Sequence, residues 1–383
     1  MKLTTIVFLR NKRSPEGVLE AFSEGLEEAF CRLGVKVEVF DYEDFEAENC
    51  IEEIKALKPN LTIGFNILLP EDSPLNVPHY APLCDSATYY PELRLTNHLI
   101  ASFMEQDSFG FYKRLGVEKI FFLPHAISRD FLTLDLHKKR DLDVVMAGSF
   151  INPEAISKVW KEQLSPKSFA AMLGLAEEVL ASPNLSHLEA FTRLVEEHGP
   201  FEQELLDKKL DFFSQLNMLE VYIRNSDRLR MIQNINEYKV HIFCPKPFRS
   251  AWQQVLSNKK NVEYHDAVPF TELAEVFSRA RLVINSIPTI KRGLHERFLL
   301  ALSRGASVLT NENIFITTQF FVPKAILNTL APGYSELDAQ IEKSFVNEEA
   351  RLQEVLSTHP TIKQYHTWDA RAKTLMETLP AFL

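Results

Sequence analysis

Short apolar runs alternate with amphipathic stretches over the first 65 residues. Thr5–Leu9 is apolar, Val18–Cys31 repeats its apolar positions at helical period, Val35–Phe40 is apolar again, and Leu61–Phe65 follows the helical stretch Ile51–Leu57. Apolar strands separated by amphipathic helices predict a parallel sheet covered on both faces, the start of a Rossmann-like domain. The turn after the first strand, Arg10-Asn11-Lys12-Arg13-Ser14-Pro15, has no glycine-rich phosphate cradle, so this half is not expected to hold a nucleotide. Residues 66–92 read as loop. They carry Pro70, Pro74, Pro78, Pro82 and Pro91 beside His79, Tyr80, Asp85, Tyr89 and Tyr90. Polar loops of an α/β domain sit at the carboxyl ends of strands, where ligands bind. Strands return at Leu99–Phe103 and Ile120–Leu123, and the charged link His137–Asp141 precedes a new strand.

That strand, Asp143–Ala147, ends in the small-residue turn Gly148-Ser149-Phe150. Residues 153–235 are helical in pattern, without a convincing strand, and read as an inserted helical block. The α/β rhythm resumes at Val240–Cys244 and Asn261–Tyr264, then a helix through Leu273–Phe277 and a strand at Arg281–Asn285. A helix over Leu294–Arg304 and a strand at Ala306–Leu309 follow. The tail Glu348–Ala381 is helical apart from a break near Pro360. The expected domains are 1–138, Rossmann-like and on the acceptor side; 139–345, Rossmann-like with the insertion; and 346–383, helices packing back towards the first domain.

A chain of 383 residues exceeds a single typical core, which agrees with two domains. The net charge of −10 and the lack of a long Lys/Arg run argue against nucleic acid, although a small polyanion needs only a few local cations. The 28 phenylalanines read as core filler. Cys31, Cys50, Cys84 and Cys244 are scattered, without metal-ligand spacing, and read as free thiols in a reducing compartment. The apolar run after Met1 and Lys2 is too short for a signal sequence, and no segment reaches the ~18 apolar residues of a membrane span. A cytoplasmic protein without a metal or other cofactor is the expectation.

The densest chemistry lies in RLVINSIPTIKRGLHERFLLALSRGASVLTNEN, residues 281–313. A buried strand ends at Asn285, a cationic loop ends at Gly293 and a helix follows, so backbone N–H groups and the helix dipole converge where an anion would sit. Lys291, Arg292, His295 and Arg297 lie within a turn of that helix start and could neutralise a diphosphate. A solvated basic loop before a core helix is the competing reading. Candidate acceptor-side bases are His79, Asp85 and His125, which lie in predicted ligand-facing loops.

Asn285, Gly293, His295, Arg297, Phe298, Ala301, Gly305 and Thr310 resemble the carboxyl-terminal domain of GT-B glycosyltransferases, in particular the spore-maturation-protein (CgeB-like) group. The segments Asn261–His265 with Val268-Pro269, His366–Ala372 and Leu123–Ile127, and the pair Gly148-Ser149, extend the resemblance. It implies two Rossmann-like domains facing each other across a cleft, and a metal-independent transferase moving a sugar from a nucleotide-sugar to an unidentified glycan, protein or small molecule. The implied donor-binding residues are Gly148, Ser149, Lys246, His265, Val268, Asn285, Lys291, Gly293, Leu294, His295, Glu296 and Arg297. One position departs: Leu300 stands where the family has the Glu that holds the donor ribose, and a leucine cannot accept hydroxyl hydrogen bonds. Glu296 shares its helix face and is a candidate substitute. The alternatives are a non-catalytic nucleotide-sugar or carbohydrate-binding protein on the same frame, and an interaction scaffold using residues 153–235. A dehydrogenase and a nucleophile-elbow hydrolase are disfavoured, since Gly-x-Gly-x-x-Gly and Gly-x-Ser-x-Gly do not occur.

Overall fold

A computed structural model of the chain describes residues 3–12, 14–44, 48–95, 99–135, 137–320, 324–329 and 333–383. Met1, Lys2 and Arg13 of the segments above lie outside the described residues. The chain divides into one unit of Met1–Thr133, Pro269–Leu273 and His359–Leu383, and another of Leu134–Val268 and Ala274–Thr358. Each holds a six-stranded parallel sheet with many helices, the α/β class expected.

The first unit contains β1 (Thr5–Arg10), β2 (Lys36–Asp41), β3 (Leu61–Ile63), β4 (His79–Leu83), β5 (Ile100–Phe103) and β6 (Ile120–Phe122), in the order β2-β1-β3-β4-β5-β6. Helices α1 (Val18–Arg32), α2 (Glu48–Ala56) and α3 (Gln106–Arg114) connect them. Strand β4 corrects the reading of residues 66–92 as loop throughout. Pro82 has no N–H to give the ladder and normally argues against a central strand. Here the carbonyls of Pro78, Tyr80 and Pro82 accept from Thr62, Gly64 and Asn66, while the Gly64 carbonyl accepts from the Ile67 N–H in a turn.

The second unit contains β7 (Leu142–Ala147), β8 (Val240–Cys244), β9 (Val262–Asp266), β10 (Ala280–Asn285), β11 (Ser307–Asn311) and β12 (Ile326–Thr329), in the order β12-β11-β10-β7-β8-β9. Five helices run between β7 and β8: α4 (Pro153–Gln163), α5 (Pro166–Ala181), α6 (His187–Glu197), α7 (Gly199–Asp207) and α8 (Phe212–Gln233). Then come α9 (Lys246–Val255), α10 (Phe270–Arg279), whose residues up to Leu273 count with the first unit, α11 (Glu296–Ser303), α12 (Ile314–Phe320), α13 (Leu337–Phe345) and α14 (Glu348–Leu356). One face of the sheet, with Val144, Met146, Val240, Ile242, Leu282 and Ile284, packs on Met231, Ile232, Trp252, Leu337 and Ile341. Among the described residues no helix is long and apolar enough to cross a membrane.

The chain ends in α15 (His359–Tyr365) and α16 (Trp368–Thr378), which belong to the first unit; Pro360 sits in the first turn of α15, where a missing N–H costs nothing. Ile127 N–H donates to the His366 carbonyl at 3.1 Å, and Trp368 N–H to the Ile127 carbonyl at 3.1 Å. Arg371 donates to the carbonyls of Pro124 at 2.7 Å and His125 at 3.1 Å. The Trp368 ring meets Phe22 and Phe65, and a Cβ added at Gly25 of α1 would lie 2.3 Å from its Cδ1. In an exposed helix Gly→Ala gains about 1 kcal/mol; here overpacking of about 1–3 kcal/mol opposes it. Gly25→Ala is expected to lower the urea midpoint; a midpoint equal to or above wild type would contradict this contact.

In the second unit a half-buried carboxylate ties α7 to the start of α5. Glu204 accepts from Ser165 N–H and Oγ, from Ser168 Oγ, and from Lys208 at 2.8 Å. Burial pushes its carboxyl up, but Lys208, Ser168 and Ser165 outweigh that and hold it down at about 2. A depressed carboxylate stabilises the fold above its unfolded value and loses that contribution as pH falls through the folded one. Wild-type stability is therefore expected to fall between about pH 4.5 and about pH 2. Glu204→Gln should flatten that slope in pH-dependent denaturation, and an unchanged slope would remove Glu204 as its source.

Candidate functional site

In the second unit the chain goes from β7 to β8 on one side and later to β10 on the other. Open α/β sheets bind ligands outside the carboxyl ends of strands at such a switch point. The loops that leave β7 and β10 there start at Gly148 and Ser286. Gly148 has φ 155°, and its N–H donates to the Phe243 carbonyl at 3.0 Å. A Cβ at this glycine would lie 3.3 Å from Arg297 Nη1 and 3.7 Å from Arg228 Nη1 and Cζ.

Two guanidinium groups therefore meet beside Gly148, one from α8 and one from α11. Arg297 donates to the Ala147 carbonyl at 2.6 Å, and Arg228 to the Ser149 carbonyl at 2.7 Å. Arg228 is buried, and its Nε has no hydrogen-bond partner among the described residues. Burial first, then the charges of Arg224 and Arg297, push its guanidinium well below the ordinary range. Burial also lowers Arg297, with Arg224 adding to the effect and Glu296 opposing it. Like charges gathered out of water form a site that an anion would relieve.

The loops around these cations are held by α8. Asp227, with no exposure, accepts from Asn311 Nδ2 at 2.8 Å, from the Ser286 hydroxyl and from the Tyr334 hydroxyl. Burial raises its carboxyl above the usual range, and these three donors pull it back. Asn225 Oδ1 accepts the Ile151 N–H at 3.0 Å, and Asn311 Oδ1 accepts the Ile287 N–H at 2.6 Å. Helix α8 thus anchors the loops after β7 and β10 and the end of β11.

Several residues expected in the donor site take other positions. Lys291 is 1% exposed, and its ammonium donates to the carbonyls of Val179 at 2.9 Å and Ser182 at 2.7 Å, closing the carboxyl end of α5. This corrects its assignment to diphosphate neutralisation: a cation at a helix carboxyl end satisfies orphan carbonyls. The helix expected from Leu294 starts at Glu296, and the His295 ring caps it, its Nδ1 accepting the Arg297 N–H at 3.4 Å. The front amides are therefore not a bare anion cradle. Gly293 and Leu294 are buried, and Asn313 Nδ2 donates to the Gly293 carbonyl at 3.2 Å. Glu296 is buried, with a carboxylate oxygen 2.9 Å from His295 Nδ1; Leu300 lies in the core with no exposure. Asn285 is fully buried, its amide on Thr310 Oγ1 at 3.1 Å and its Oδ1 without a partner among the described residues. Lys246 is exposed at the start of α9, Val268 is half-buried, and Ser149 is half-buried beside Gly148. His265 stacks on Phe243 at 4.4 Å, with its Nε2 3.0 Å from His241 Nδ1.

The candidate bases belong to the first unit. His79 lies within β4, 3% exposed, with Nδ1 2.8 Å from Thr62 Oγ1 and Nε2 2.9 Å from the Ile67 carbonyl. Both ring nitrogens are engaged, which corrects its reading as a loop base: it ties neighbouring backbone together. Asp85 is exposed and accepts from Asn66 Nδ2 at 2.8 Å and the Tyr90 hydroxyl at 3.2 Å. His125 is buried edge-on to Phe22, its carbonyl accepting from Arg371.

The sequence reading missed Arg228, Asp227 and Asn225. Their signal is the run Arg224-Asn225-Ser226-Asp227-Arg228, polar on nearly every position of a helix yet buried, which a surface helix does not need. The spacing Asp141-Leu142-Asp143 also matters, because paired carboxylates are metal ligands. It lies at the amino end of β7, with Asp141 on Arg279 at 2.7 Å and Asp143 near Arg281 at 3.5 Å. That is about 23 Å of extended chain from Gly148. Removing the anchor should be costly: Asp227→Ala leaves three buried donors unpaired and is expected to lose about 3–5 kcal/mol in denaturant unfolding. Wild-type stability in that variant would disprove the anchoring role.

Residues 224–377 match a family model described as glycosyl transferase-like. No curated protein matches the chain. Among solved structures, Anabaena HepE in complex with UDP and glucose superposes with a TM-score of 0.58 at 11% identity, over 99% of this chain and 100% of that one. Sucrose-phosphate synthase of Thermosynechococcus elongatus gives 0.56 at 9% identity over 99% of both chains. The DNA-modifying enzyme β-glucosyltransferase gives 0.55 at 11% identity, over 98% of this chain and 100% of that one. The chain therefore has the GT-B fold, and its residues 224–377 are similar to glycosyl transferase-like domains.

Proposed function

We propose that the protein transfers a sugar from a nucleotide-sugar to an acceptor hydroxyl, without a metal ion in the reaction. The donor diphosphate binds at the carboxyl ends of β7 and β10, against Gly148, Ser149 and Arg297, with Arg228 behind. The observation that carries this reading is the meeting of two guanidinium groups beside a side-chain-free residue at the sheet's switch point. Negative charge grows on the leaving diphosphate during transfer, and cations fixed in advance in a partly dry site stabilise that charge without reorganising. Glu296 is assigned to the donor ribose in place of Leu300, and Asp85 and His125 are the acceptor-side bases to test. The resemblance carried by Asn285, Gly293, His295, Arg297, Phe298, Ala301, Gly305 and Thr310 supports a place in the spore-maturation-type group. A second reading, a nucleotide-sugar-binding protein without turnover, draws its support from the apolar Leu300.

A thermal-shift panel of UDP-, GDP-, dTDP- and ADP-sugars tests the donor, since a ligand of the folded state raises its melting temperature. UDP-glucose comes first, because HepE was solved with UDP and glucose. One donor is expected to raise Tm, Arg297→Gln to abolish the rise, and nucleotide release to fall about 10²–10³-fold in that variant. No shift with any of the four defeats the donor site. A shift without nucleotide release selects the non-catalytic reading.

A further inference from the structure

We propose that His241, Glu263 and His265 form a binding site for one divalent transition-metal ion of the zinc class. The three residues come from the neighbouring parallel strands β8 and β9, where His241 pairs with Glu263 and Phe243 with His265. Residues two apart on a strand share a face, and paired residues of adjacent strands share it too, so both imidazoles and the carboxylate project together. One ligand atom from each lies within 4.8 Å of the others. His241 Nδ1 is 3.0 Å from His265 Nε2, and Glu263 oxygens lie 3.9 Å and 3.7 Å from these two nitrogens. Zinc–nitrogen and zinc–oxygen bonds of ~2.0–2.2 Å set tetrahedral ligand atoms about 3.3 Å apart, a value that these separations bracket.

The donor set selects the ion. Two imidazoles and one carboxylate suit zinc and its first-row neighbours, whereas magnesium and calcium prefer oxygen alone. His241 is buried and the His265 ring is stacked on Phe243, so both are held before an ion arrives. The Glu263 side chain keeps 45% exposure and the His265 side chain 28%, which leaves a path for the ion and room for water as a fourth ligand. Without metal, the two rings share one proton across the 3.0 Å gap and Glu263 pairs with Lys239. On binding, the ion replaces that proton, which moves to the far nitrogen of its ring, and Lys239 is displaced to solvent. This site does not rest on the donor reading, and its test reads metal rather than turnover.

The full, tag-free chain is stripped with chelator and titrated with Co²⁺ and then Zn²⁺. One equivalent of Co²⁺ is expected to develop the visible absorption of a four-coordinate site, and Zn²⁺ to displace it. His265→Gln and Glu263→Gln, both at partly exposed positions, should each weaken Zn²⁺ binding about 100-fold. Lys239→Met removes the competitor for Glu263 and should tighten it; an unchanged affinity counts against Glu263 as a ligand. Absence of stoichiometric binding, or binding that survives both Gln variants, overturns the proposal.

Discussion

A single buried carboxylate organises the second unit. Asp227 has no exposure, yet it satisfies the hydroxyl of Ser286 after β10, the amide of Asn311 at the end of β11 and the hydroxyl of Tyr334 after β12. A carboxylate out of water survives only with such a full set of donors, and the donors lose their partners if it is absent. Its chain neighbours extend the arrangement, with Asn225 fixing the loop after β7 and Arg228 reaching the Ser149 carbonyl. The walls of the cationic site are therefore hydrogen-bonded to one helix as well as to one another, as Ile287 is to Asn311. This lets three loops of unrelated sequence hold a common geometry.

The cations themselves illustrate how burial decides a role. Lys291 and Arg297 are six residues apart and look equivalent as neighbours of a phosphate. The ammonium of Lys291 folds into the carboxyl end of α5, where two carbonyls saturate it. Arg297 places Nη1 on the Ala147 carbonyl and Nη2 3.0 Å from His295 Nε2, a spread over five N–H donors that a three-donor ammonium does not offer.

The alternation of apolar runs and helices was enough to read both parallel sheets, because buried parallel strands are apolar on both faces. Strand β4 escaped for a local reason: Pro78 and Pro82 are loop signals, and only the turn that redirects the Ile67 N–H makes them tolerable in a ladder. Spacing along residues 281–313 does not tell which way a side chain turns, so the position of Lys291 against α5 and the His295 cap were not foreseen. Arg228 lay 69 residues before Arg297, in a stretch whose helical pattern hid its polar face. The His241, Glu263 and His265 group was equally hidden, since its members sit on two strands whose pairing no short motif encodes.

The dependence on α8 has a consequence for how this region tolerates change. Each residue of an α-helix advances the side-chain direction by about 100°. Losing a single residue early in the 22-residue helix, while its far end stays seated on the core, would turn Asn225, Asp227 and Arg228 off their targets together. Substitutions can be absorbed there one at a time, but length cannot drift, so viable variation in the segment preceding residue 224 should be confined to its connecting turns.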